Sequence, residues 1–176
     1  MTIQSDNHWW GFAAMPLGME PPCHGEDNPM TLVCQFALGE GMVYVFADLD
    51  YWFGDLDAPS GPIGEWSREF FRVLYAPSRE NLQLHEIRYP DGSSAVPEER
   101  PMNGEGMNGL MGEGVNGEWR DELEQDYPGY EVLVQLDEDD NLGLRFYDCG
   151  TLFFLIKPED LAARNFENVK CVLYSY

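Results

Sequence analysis

Apolar residues recur along this chain in strand-length runs separated by glycine, proline and acidic clusters, the rhythm of β-strands joined by turns. The first regular pair spans 31–38 and 42–47 with Gly39-Glu40-Gly41 between them, and two such runs about a short glycine turn predict a hairpin. A run at 69–76 predicts a strand stopped by Pro77. Residues 82–88 alternate apolar and polar positions at period two, the pattern of a strand with one wet face. The last third is the most regular: 130–136, 142–147, 151–157 and 168–176 each predict a strand, with an acidic turn at 137–141. Two short helices complete the pattern. One is expected over 118–125, ahead of Pro128. The other is expected over 158–164, where Pro158 takes the first helical position and Glu159 and Asp160 lie in the first turn, the end at which the helix dipole favours acids.

The remaining segments are rich in breakers. Pro16, Pro21, Pro22 and Pro29 predict an irregular first thirty residues, although Trp9, Trp10 and Phe12 predict that the segment packs on the domain. Residues 48–64 read as an acidic loop with Trp52 and Phe53 embedded in it. Three Asn-Gly pairs between Met102 and Glu118 predict a flexible Met/Gly/Asn-rich loop at about 102–118. Gly104, Gly106 and Gly109 spell G-x-G-x-x-G within it. No strand runs into it and acids flank it, so it is not a dinucleotide fingerprint. No boundary leaves two self-sufficient cores. The expectation is one compact α+β domain over 1–176, mostly antiparallel β-sheet with a few short helices.

Composition changes this picture in one respect. A chain of 176 residues with 44% apolar content, ten Phe, nine Tyr and five Trp can build a core without disulfide or metal. Its charge is lopsided: thirty-two acidic residues face ten Lys and Arg, for a formal net charge of -22. Such a field repels nucleic-acid phosphate and anionic lipid and attracts basic proteins. Nucleic acid and membrane are therefore not expected partners; a basic protein partner is one reading of the charge, and solubility alone is the other. The chain opens without a basic segment leading into an apolar one, and no apolar run nears the ~20 residues needed to span a bilayer. Cys23, Cys34, Cys149 and Cys171 form no C-x-x-C pair, which predicts free, mostly buried thiols in a reducing, cytoplasmic setting. No cofactor motif is present, and no cofactor is expected.

At the carboxy-terminal end the order of motifs becomes specific. A hydrophobic strand ends in Gln135-Leu136-Asp137 and an acidic turn. Asp148 and Gly150 stand just before an aromatic strand, and Lys157-Pro158-Glu159-Asp160-Leu161 opens a helix leading into a last strand. Residues 130–176 thereby resemble the end of the YwqG-like family, a domain of unknown function found mainly in bacteria. Residues 30–48 and Arg72-Val73-Leu74-Tyr75 resemble its earlier strands. The chain departs from the family pattern at Phe146-Tyr147-Asp148, where a Trp-Gly-Asp is usual, and at the Met/Gly/Asn loop. The resemblance implies a sheet-rich α+β fold and brings no catalytic residues. An immunity-type role has been suggested for some members, by association with toxin loci.

Several clusters could carry chemistry. Asp48, Asp50, Asp55 and Asp57 surround Tyr51 and Trp52, and carboxylates beside exposed aromatics suit a basic protein partner. The same carboxylates in an aromatic-lined cleft would suit an enzyme or a small-ligand binder, but nothing in the sequence fixes the separation that paired-carboxylate chemistry needs. Asp137, Asp139, Asn141 and Asp148 fall at calcium-loop spacing, yet Leu142 stands where the loop needs glycine and Asp148 where it needs a bidentate glutamate, so a solvated hairpin turn without metal is the expected reading. Cys23-His24, Cys34 and His8 match no zinc spacing, and His85 on an alternating strand reads as a cross-strand residue before a partner for a cysteine nucleophile. The reading that follows is a non-enzymatic, acidic protein-binding domain, with an immunity-type role against a basic toxin as its sharpest form.

Overall fold

The computed structural model describes residues 7–102, 109–110 and 117–176. The predicted loop at 102–118 and its G-x-G-x-x-G pattern fall largely on 103–108 and 111–116, outside the described residues. The chain divides into two compact units, one formed by Met1–Tyr51, Leu56–Ser60 and Arg68–Met102, the other by Trp52–Asp55, Gly61–Ser67 and Asn103–Tyr176.

The amino-terminal unit is built on the predicted hairpin. Thr31–Leu38 and Gly41–Ala47 pair antiparallel, with Leu38 opposite Gly41 and a register shift between Leu32 and Cys34. Phe71–Ala76 adds to one side, and His8–Trp9 and then Arg100–Pro101 to the other. Every residue of Gly41–Ala47 is buried. Met42, Tyr44 and Phe46, two apart and so on one face of the sheet, join Met15, Met30 and Leu32 in the core. The proline-rich start is less irregular than its sequence predicts. Ala13–Pro16 pairs with Leu82–His85, Cys23–His24 with Asn28–Pro29, and Trp10 is fully buried. Side chains hold the first of these segments down. Tyr44 Oη donates to the Ala14 carbonyl at 2.6 Å, and Gln35 Oε1 accepts the Ala14 amide at 2.9 Å. Polar side chains reaching from the sheet supply the order that local propensity does not.

The carboxy-terminal unit is a five-stranded antiparallel sheet in the order Gly109–Leu110, Glu131–Asp137, Thr151–Ile156, Lys170–Tyr174, Gly64–Trp66. Helix α1 (Arg120–Asp126) packs Leu123 against Phe153, Leu155 and Val172, with Trp119 from the turn before it. Helix α2 (Pro158–Ala162) begins at Pro158 with Glu159 and Asp160 in its first turn, as the sequence predicts.

One expected strand is absent. Residues 142–147 alternate as a strand would, and Leu144 and Phe146 are fully buried, yet the segment turns and pairs at one isolated bridge, between Leu144 and Asp139. Asp139 Oδ1 accepts the amides of Asn141 and Leu142 at 2.9 and 3.3 Å, closing an Asx turn. Glu138 Oε1 accepts the amides of Phe146 and Gly150 at 2.8 and 3.4 Å. Within the segment Gly143, Leu144 and Arg145 donate to the carbonyls of Asp140, Asp139 and Trp52, so the backbone donors are used in a local turn and by carboxylates instead of by a neighbouring strand. The chain then passes Tyr147 and Cys149 with φ of 64° and 52°. Gly150 ends the turn against Phe146, whose carbonyl oxygen and β-carbon a β-carbon at 150 would overlap. We expect Gly150→Ala to destabilise by about 2–3 kcal/mol, a fall of roughly 5–10 °C in melting temperature. Gly117→Ala meets no neighbour within 4 Å and should change stability by less than about 0.5 kcal/mol. Equal melting of Gly150→Ala and the parent would contradict this account of the turn.

Candidate functional site

The acidic loop is only partly a surface. Asp48, Asp50 and Trp52 are 2%, 8% and 4% exposed, so they belong to the interior; Tyr51 is half-buried, and Asp55 and Asp57 are exposed. Trp52 lies in an aromatic cluster, stacked on Trp66 at 6.5 Å, 5.5 Å from Phe146 and edge-on to Tyr147 at 4.9 Å. The alternation-free sequence at 48–52 hid this inward turn, which the short helical segment Asp50–Phe53 produces.

The calcium-spaced turn holds itself closed with its own acids. Asp137 Oδ1 accepts from the Thr151 hydroxyl at 2.7 Å and Oδ2 from the Gln135 amide at 2.8 Å, while Asp139 caps its own turn. Burial pushes the Asp137 carboxyl up, and those two hydrogen bonds oppose the shift. Among the described residues no three His, Cys, Asp or Glu side chains gather as a metal site, so the four calcium-spaced residues do not form one. The thiols also depart from expectation: Cys34 and Cys171 are buried, but Cys23 and Cys149 are exposed. Burial holds the Cys34 and Cys171 thiols protonated, and the charge of Asp148 pushes the Cys149 thiol up. None of these three is activated for nucleophilic attack.

Two other arrangements stand out. In the amino-terminal unit, His24 sits on the Cys23–His24 strand and Asp48 directly follows the Gly41–Ala47 strand. His24 Nδ1 lies 2.6 Å from Asp48 Oδ2, with side-chain exposures of 27% and 1%. The Phe70 ring stands 5.5 Å from the imidazole, and the Phe70 carbonyl accepts the Asp48 amide at 2.8 Å. Asp48 Oδ1 is buried with no hydrogen-bond partner among the described residues. Burial pushes the Asp48 carboxyl up to about 6; the hydrogen bond and charge of His24 pull it down, Asp50 pushes it up, and Arg72 pulls it down. One sign of this pair is legible in the chain, an acid attached to the end of a wholly apolar strand. Its partner, 24 residues earlier, could not be inferred.

The second arrangement is a groove of about 390 Å³ in the carboxy-terminal unit. Leu123, Tyr127, Pro128, Tyr130, Val132 and Leu155 line it, with Arg120 and Glu124 from α1. Its tyrosines already carry cations: Lys157 Nζ lies 5.4 Å from the centre of the Tyr130 ring and Lys170 Nζ 5.8 Å from that of Tyr127. Carboxylates surround it. Glu65 accepts from Tyr127 at 3.1 Å and from Lys170 at 2.6 Å, and Asp126 accepts from the Tyr174 hydroxyl at 2.9 Å. The tyrosines, being aromatic positions flanking a strand, were visible in the sequence, but their convergence on the end of α1 was not.

Residues 89–174, just under half of the chain, match the family model described as a domain of unknown function (DUF1963). The segment is similar to that uncharacterised family. No curated protein matches the sequence. The groove lies wholly within the matched segment, and the His24–Asp48 pair lies outside it.

The Asp48 carboxyl stands above its ordinary value of 3.8. Its contribution to stability is therefore fully present below about pH 4 and is lost as pH rises through about 6. Asp48→Asn removes that loss. Relative to the parent, the variant should gain stability between about pH 4 and pH 6.5, by roughly 2 kcal/mol. Urea unfolding at the two pH values measures it, and a variant that loses ground as pH rises would show the pair to be a net stabiliser.

Proposed function

We propose that the carboxy-terminal unit is a protein-binding domain whose partner is basic, and that it binds through the tyrosine-lined groove. The observation that carries this reading is the groove's own chemistry. Aromatic faces in an apolar trough hold lysine side chains intramolecularly, and a partner's Lys or Arg would find the same cation–π surface there. The surplus of thirty-two acids over ten basic residues steers such a partner inward and speeds encounter more than it strengthens the final contact. Tyrosine supplies large contact area for little lost conformational freedom, as interface anchors do. This binding involves no chemical step.

Exposed Asp55 and Asp57 and half-buried Tyr51 enter the same reading as surface residues of the 48–57 segment, while Asp48, Asp50 and Trp52 are interior. The finer identity we favour is a YwqG-like bacterial protein of the cytoplasm. There an immunity-type role against a cationic toxin fits both the charge and the carboxy-terminal motifs. The reading excludes nucleic acid and membrane as partners on electrostatic grounds.

The test is capture of partners from lysate of the source organism at low and near-physiological salt. The parent is compared with a Tyr130→Ser, Glu124→Lys groove variant and an Asp55→Asn, Asp57→Asn loop variant. A basic protein should be retained in stoichiometric amount, less at the higher salt. The groove variant should weaken retention about tenfold or more, the scale of losing a hot-spot residue. Retention unchanged by the groove variant, or no specific partner at either salt, overturns the proposal.

A further inference from the structure

The His24–Asp48 pair lies in the other unit and has no part in the groove. Its geometry is that of an oriented base. Asp48 binds His24 Nδ1 at 2.6 Å, which fixes the tautomer and leaves Nε2 as the acceptor. The ring is 27% exposed while the carboxylate behind it is 1% exposed, so solvent reaches the imidazole and not the acid that holds it. His85 shows the opposite arrangement: its Nδ1 lies 3.3 Å from the exposed Glu20, and its Nε2 is buried. His8 is buried and its Nδ1 lies 2.7 Å from the Trp10 carbonyl.

A structural explanation of the pair meets two obstacles. A buried ion pair stabilises only when its remaining lone pairs are satisfied, and Asp48 Oδ1 is not. Arg72 and Asp50 act on Asp48 with opposite sign, so the surroundings do not neutralise it. An acid kept inside at a cost to stability, behind a solvent-facing imidazole, is the pattern of a group retained for reactivity.

We propose that His24 is an acid–base catalytic residue, with Asp48 as its positioning residue, acting on uncharged esters. The substrate class follows from the surroundings. The net charge of -22 disfavours anionic substrates, and the Phe70 ring beside the imidazole offers an apolar wall. Cys23 is not the nucleophile, because neighbouring residues of a strand point to opposite faces, which directs its thiol away from the His24 ring. Water attacks instead. Its oxygen bonds to the ester carbonyl carbon as its proton passes to His24 Nε2. The acyl carbon–oxygen bond then breaks, and the same proton passes to the departing alkoxide, giving acid and alcohol.

The full chain is assayed with p-nitrophenyl acetate, and with p-nitrophenyl phosphate as the anionic counterpart. Acetate release should exceed that of N-acetylhistidine at equal concentration, and phosphate release should not exceed background. His24→Gln should abolish the excess, and His85→Gln should leave it unchanged. Asp48→Asn should lower it about 100-fold and displace its pH profile, a change that a purely structural role would not produce. Diethyl pyrocarbonate mapping on the parent protein needs no variant to fold: His24 should be carbethoxylated before His85 and His8. A rate equal to that of N-acetylhistidine, an excess that survives His24→Gln, or His24 labelled no faster than His85 overturns the proposal.

Discussion

The chain must place thirty-two carboxylates with only ten Lys and Arg to neutralise them, and much of its local structure follows from that shortage. Ion pairs cannot absorb the acids, so neutral donors do. Glu138 takes the amides of Phe146 and Gly150, and Asp137 takes the Thr151 hydroxyl and the Gln135 amide. Asp160 takes the side-chain amides of Asn165 and Asn168 beyond α2, while Tyr174 and Tyr176 donate to Asp126 and Glu118. Hydrogen bonds to a charged group are about twice as strong as neutral ones. The arrangement therefore folds the loops that the acids occupy. It also leaves the protein's long-range field strongly negative, since a neutral donor cancels no charge.

The same constraint explains which sequence readings held. The paired strands Thr31–Leu38 and Gly41–Ala47, the Thr151–Ile156 strand and helix α2 were legible because apolar periodicity and a helix-starting proline decide them locally. The strand expected at 142–147 failed although Leu144 and Phe146 are as buried as a strand would make them. Burial period reports which side chains face inward, and it does not say which group takes the backbone donors. Here the carbonyls of Asp139, Asp140 and Trp52 take most of them, and Glu138 takes the Phe146 amide. The short amino-terminal strands were missed for the converse reason. Ala13–Pro16 is ordered by Tyr44 and Gln35, thirty and twenty-one residues away in the chain.

The candidate sites were less legible than the fold. Asp48 and Trp52 drew attention as exposed acid and aromatic, but both point inward, to His24 and to an aromatic cluster. Composition alone cannot separate an acid on the surface from one tethered to a buried strand. The tyrosines of the groove are brought together by α1, whose existence the sequence predicts and whose docking on Phe153 and Leu155 it does not. The two sites divide along the family match: the groove belongs to the segment shared with the uncharacterised family, and the histidine pair lies in the part outside it.

Asp48 is the exception among the acids, and so the residue on which the account turns. Glu138, Asp137 and Asp160 collect neutral donors; Asp48 has one oxygen on His24 and the other buried with no hydrogen-bond partner among the described residues. Following the carboxyl carbon signals of the aspartates by NMR from pH 3 to pH 8 measures this directly. Asp48 is expected to titrate near pH 6, and an Asp48 carboxyl that titrates near its ordinary value of 3.8 would contradict the account.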